Sequence, residues 1–102
     1  MDISEFTADL LRPHVGTVFR LATPNGQQYD LQLERVEKVI DQHIDSRFHR
    51  DTFTLLFAGP TEPYLPQSTY PLTHEALGGP HEIFIVPTGR APRGYLYEAV
   101  FT

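Results

Sequence analysis

The sequence contains no cysteine and no tryptophan. Without cysteine, a disulfide framework and a thiolate zinc site are both excluded. Positive charge is also scarce, with eight Lys and Arg against thirteen Asp and Glu and a formal charge of −5. The few basic residues are scattered, so there is no positive stripe of the kind that nucleic acid or an anionic membrane requires. Long apolar runs are missing too. No stretch approaches the roughly 20 apolar residues that span a bilayer as a helix. The start, Met1-Asp2-Ile3-Ser4-Glu5, is acidic and lacks the apolar segment of a signal peptide. These absences make a cytoplasmic location the expectation.

What is present suits one folded unit. The chain has 102 residues, 40% of them hydrophobic, including seven Phe and five Tyr. A chain of this length hides about two-thirds of its unfolded surface, enough for one core. A single domain over residues 1–102 is expected, with no repeat, linker or low-complexity segment.

The apolar pattern begins with a helical period. Phe6, Leu10 and Leu11 fall on one helical face, Ser4 or Asp2 can cap the start, and Pro13 is placed to stop the helix. A short helix over about residues 4–11 follows. From Gly16 onward the period becomes two. Val15, Thr17, Phe19 and Leu21 share one face of a first strand. Pro24-Asn25-Gly26 is a turn signal, because Asn and Gly tolerate positive φ. The second strand alternates as Tyr29, Leu31, Leu33 and continues on the opposite parity as Val36, Lys38, Ile40. A β-bulge around Glu34 and Arg35 accounts for that shift. A polar loop over 41–51 leads to a third strand over 52–58, with Phe53, Leu55 and Phe57 on one face. A fourth strand over 68–73 contains Pro71, which belongs at an edge or bulge. His74 to Gly79 reads as a turn. Strands over 81–86 and 95–101 follow, joined by a loop from Gly89 to Gly94. The expected core is Phe19, Leu31, Leu33, Phe53, Leu55, Phe57, Phe84 and Val100. The fold class is therefore mainly β: a small antiparallel six-stranded barrel, or a sandwich, with a short N-terminal helix at one open end.

Four stretches form a recognisable set. They are Pro13-His14-Val15-Gly16-Thr17-Val18-Phe19; Phe53-Thr54-Leu55-Leu56-Phe57-Ala58-Gly59-Pro60; Leu65-Pro66-Gln67-Ser68-Thr69-Tyr70 leading to His74; and Ile83-Phe84-Ile85-Val86-Pro87 with Tyr97-Glu98-Ala99-Val100-Phe101. Together they resemble a bacterial family of proteins of about this length, classed as a domain of unknown function. The resemblance covers almost the whole chain. Ser68 stands where that pattern has glycine, and Thr102 where it has asparagine. Members of the family are often encoded near phage-tail-collar-like proteins, so the resemblance implies a role in a tail-like particle or its assembly. It implies no catalytic residues.

The candidate chemistry is sparse. His43, Asp45, His49 and Asp51 are the densest set of possible metal ligands, but their spacing suits neither a strand nor a helix. A solvated polar loop is the preferred reading. His74, Glu75, His81 and Glu82 flank one turn and offer acid–base groups if they converge; a role in fixing the turn, with the His74 ring bonding a loop carbonyl, is preferred. Glu98, between Tyr97 and Ala99, is either a solvent-facing strand position or a carboxylate bonded to backbone or to Arg20. Ser4, Ser46 and Ser68 lack an activating base nearby. No catalytic residue, cofactor or metal is expected.

One loop stands apart. Tyr64-Leu65-Pro66-Gln67 places an aromatic and an aliphatic residue side by side between prolines. Such a pair either closes the barrel end or meets a partner. Tyr64, Leu65, Pro66 and Gln67 are the candidate partner-binding residues. The expected function is a non-enzymatic structural or assembly module that binds protein, with a homo-oligomer compatible and neither nucleic acid nor membrane as partner. The alternative is a barrel that holds a small ligand in its mouth; an enzyme built from the histidines ranks third.

Overall fold

The computed structural model describes residues 3–39 and 52–101. A 3-10 turn, Ile3–Glu5, precedes the helix α1, Ala8–Leu11, and a second 3-10 turn, Arg12–His14, follows it. The cap of α1 is Thr7, whose hydroxyl accepts from the Leu10 N–H at 3.1 Å, and not Ser4. Pro13 does not end the helical course. It sits early in the second 3-10 turn, where its missing N–H costs nothing. Asp2 lies outside the described residues.

Six strands follow: β1 (Val18–Ala22), β2 (Gln28–Val39), β3 (Thr52–Ala58), β4 (Ser68–His74), β5 (Gly78–Ala91) and β6 (Gly94–Phe101). They close antiparallel into a barrel in the order β1-β2-β3-β6-β5-β4. Closure settles barrel against sandwich. The Pro24-Asn25-Gly26 turn joins β1 to β2, with Gly26 at φ 87° and its N–H on the Thr23 carbonyl at 3.0 Å. The expected bulge is present. Leu33 pairs with Phe57 and Arg35 with Leu56, so Glu34 is the extra residue. Leu31 and Leu33 face inward before it and Val36 packs on the core after it. Pro71 lies one residue beyond the end of the β1–β4 ladder at Leu72, which frees it from donating there.

The last two strands depart from the expected bounds. β5 runs on past Pro87 to Ala91, because a bulge between Pro87 and Gly89 absorbs both strand breakers. The loop expected from Gly89 to Gly94 shrinks to the two residues between Ala91 and Gly94, which pair with each other. Gly94 has φ 149°, and a Cβ there would overlap the Gly59 carbonyl oxygen. Only glycine lets this hairpin pack so closely on the loop after β3.

The core includes Phe19, Leu21, Leu31, Leu33, Phe53, Leu55, Phe57, Leu72, Ile83, Ile85 and Tyr97, with Phe6, Ala8 and Leu11 delivered from the N-terminal segment. Phe19 meets Phe57 edge to face at 5.4 Å. Two expected core residues are not in it. Phe84 is 50% and Val100 57% exposed. The inward residues are Ile83, Ile85, Tyr97 and Ala99 instead. Both parities of Ile83-Phe84-Ile85-Val86 are apolar, so alternation could not choose the face. The β4 register chooses it by setting Tyr70 opposite Ile83 and Leu72 opposite His81. Val15 is likewise exposed, at the end of the second 3-10 turn rather than in β1.

Candidate functional site

The loop between β3 and β4 is tied down at several points. The Gly59 N–H donates to the Tyr95 carbonyl at 2.8 Å. The Leu65 N–H donates to the buried Tyr97 hydroxyl at 2.9 Å, and the Tyr70 hydroxyl donates to the Pro66 carbonyl at 2.7 Å. Burial raises the Tyr97 phenol above its ordinary pKa, with the Leu65 hydrogen bond opposing, so the hydroxyl stays neutral.

These anchors split the candidate residues. Leu65 is 3% exposed and belongs to the core, where it closes this end of the barrel. Tyr64 is 52% exposed. Its ring meets Tyr95 edge to face at 5.3 Å, and the Arg90 guanidinium lies 5.3 Å from the centre of the Tyr95 ring. Pro66 and Gln67 are exposed. Of the four candidates, Tyr64, Pro66 and Gln67 are thus open to contact, with Leu65 holding them in place.

Beside Tyr64 lies an open groove of about 400 Å³. Tyr29, Tyr64 and Tyr70 line it together with Pro24, Pro63 and Pro66. Its walls come from the β1–β2 turn and from the loop before β4, so the fold assembles it from segments some 40 residues apart in sequence. Among the described residues no charged side chain lines it. Sequence reading singled out one wall and missed the other. Pro24-Asn25 reads only as a turn, and nothing local signals that it faces Tyr64.

The histidines at the other end of β4 have structural work. His74 is buried. Its Nδ1 accepts from the Ala76 and Leu77 N–H groups at 3.0 and 3.2 Å. Its Nε2 lies 2.8 Å from the Thr17 hydroxyl, which itself donates to the His14 carbonyl at 2.6 Å. The ring is thus neutral with its proton on Nε2. Burial lowers its pKa below 6.5, and the neighbouring His14 lowers it further. His81, also buried, donates from Nε2 to the Leu77 carbonyl at 2.8 Å. So the His74 ring takes loop amides rather than the carbonyl expected, and His81 takes the carbonyl. The adjoining Glu75 and Glu82 are exposed. Both nitrogens of the His74 ring and Nε2 of His81 are thus engaged, with the turn amides, the Thr17 hydroxyl and the Leu77 carbonyl.

Among the described residues no three His, Asp or Glu side chains gather closely enough to hold a metal ion. His43, Asp45, His49 and Asp51 lie outside the described residues, as does Ser46. Arg20 pairs with Asp30 at 3.5 Å and not with Glu98, which sits half-buried between Leu56 and Val86 on the neighbouring strands. Among the described residues no helix is long and apolar enough to cross a membrane.

No curated protein and no solved structure matches the chain. One family does, described as a domain of unknown function, DUF6916, and it matches residues 6–101. The chain therefore belongs to the DUF6916 family, and the match runs from just after the first 3-10 turn to the last residue of β6.

Proposed function

We propose that this domain is a non-enzymatic interaction module that binds a protein partner through the tyrosine-lined groove beside Tyr64. The observation that carries the reading is the exposed Tyr64 ring at the rim of that groove, on a loop fixed from beneath by Leu65 and Tyr97. A loop already held in place loses little entropy on binding. Tyrosine offers a large rigid contact at low conformational cost and is enriched among residues that dominate interface energy. The three prolines at 60, 63 and 66 restrict the loop further. The uncharged lining suits an apolar or proline-containing segment better than a charged one.

The small-ligand alternative needs an empty barrel mouth. Phe19, Leu33, Leu55, Phe57 and Tyr97 fill the barrel interior, and Leu65 closes one end. That packing disfavours the alternative. The structural hydrogen bonds of His74 and His81 are the reason for reading the domain as non-enzymatic. Assembly within a tail-like particle is the setting that the sequence resemblance implies. Affinity capture from the native host, read by mass spectrometry, tests the proposal. Tyr64→Ala should remove proteins that the wild-type domain captures while the melting temperature holds. Capture unchanged by Tyr64→Ala and by Gln67→Ala would refute it.

A further inference from the structure

The outer face of β5 and β6 carries a second feature, independent of the tyrosine groove. The ladder between these strands runs from Ala91 and Gly94 to Val86 and Glu98. Beyond that rung, on the inner side, the buried Phe6 ring meets His81 of β5 at 4.9 Å and Phe101 of β6 at 6.0 Å. Phe84 and Val100 stand outward on the two strands just past the last rung, each at least half exposed. Leu56 and Val86 flank Glu98 on its two neighbouring strands, and Leu96 follows on β6. A carboxylate thus sits half-buried at the centre of an apolar surface.

Glu98 makes no ion pair or hydrogen bond among the described residues. The described cations are engaged elsewhere. Arg12 pairs with Asp9, Arg20 with Asp30, Arg35 with Glu37 and Arg93 with Glu34, while Arg90 lies over Tyr95 and Lys38 has its own contact. A partner that covers Phe84 and Val100 also strips water from Glu98. That burial is costly unless a cation arrives with the partner. A second copy of this chain docked symmetrically about Glu98 would bring two carboxylates together, and the net charge of −5 disfavours it further. We propose that this face seats a different protein, one whose apolar surface presents a lysine or arginine to Glu98.

The inference rests on the reading of the domain as an interaction module, but it uses a separate surface. Four variants of the full chain decide it: Glu98→Gln, Glu98→Lys, Phe84→Ser and Tyr64→Ala. In capture from the native host, Glu98→Lys and Phe84→Ser should deplete the same protein, and Tyr64→Ala should retain it. With that protein purified, Glu98→Gln should weaken binding at least about thirtyfold, as expected for truncating one half of a desolvated charge pair. Changing one lysine or arginine of the partner to glutamate should restore binding to the Glu98→Lys domain. In the absence of partner, Glu98→Gln should leave the melting temperature unchanged, because no contact among the described residues is lost. The proposal is overturned if nothing captured depends on both Glu98 and Phe84, or if no basic residue of the partner is coupled to Glu98. A wild-type dimer dissociated by Phe84→Ser would also overturn it in favour of self-association. Loss of capture in Tyr64→Ala alone would defeat this face and leave the groove standing. Loss in the Glu98 and Phe84 variants alone would do the reverse.

Discussion

The two ends of β4 use their side chains in opposite ways. At the turn after β4, the rings of His74 and His81 hold Ala76 and Leu77 through nitrogen contacts to loop amides and a carbonyl. The residues with the richest chemistry are consumed by structure. At the loop before β4 the anchoring is delegated to buried Leu65 and to the Tyr97 and Tyr70 hydroxyls, and Tyr64 is left to solvent. Here the titratable cluster is tied into the fold, whereas the exposed aromatic on a pinned loop is the feature on which the proposed interface rests.

The largest expected effect removes the floor that both ends share. Phe57 is fully buried against Phe19. Phe57→Ala should cost about 3–5 kcal/mol in denaturant unfolding, against about 5–15 kcal/mol expected for a whole domain. A variant with the parent's midpoint would place Phe57 outside the core.

The next effect separates neighbours on the loop. Leu65→Ala should cost about 2–5 kcal/mol, as for other core leucines, and Tyr64→Ala no more than about 1 kcal/mol. Equal losses for the two would erase the division of labour between them.

At the histidine end, His74→Phe should cost about 1–3 kcal/mol, because the buried Leu77 N–H and the part-buried Ala76 N–H lose their acceptor. Its pH dependence has a definite sign. The folded-state pKa of His74 lies below the unfolded value of about 6.5. The unfolded chain therefore takes up this proton first as pH falls. The stabilisation is complete above about pH 6.5 and declines as pH drops through that value towards the folded pKa. Wild type minus His74→Phe should show this decline in unfolding titrations. A difference that grows on acidification would mean that the folded ring prefers its charged form.

Much of this was legible in the sequence. The bulge at Glu34 follows from the shift of inward parity between Leu33 and Val36. The six strands and the β1–β2 turn follow from alternation and from Asn25-Gly26. The face of β5 and β6 was not legible from apolar alternation, because Phe84 and Ile85 are equally apolar. A charge-based signal was available. Glu82 and Glu98 resist pointing into a core, and they share parity with Phe84 and Val100, the residues found outside. The tyrosine groove was half legible, since its second wall depends on barrel closure, which brings Pro24 and Tyr29 to the β3–β4 loop.

The most direct test of the central contrast is site-specific photo-crosslinking in the native host. A photoreactive phenylalanine placed at Tyr64, and in a second protein at Glu75 on the histidine-held turn, samples the two ends of β4 separately. The account predicts a discrete protein adduct from position 64 and none from position 75. Adducts from position 75 with none from position 64 would contradict it.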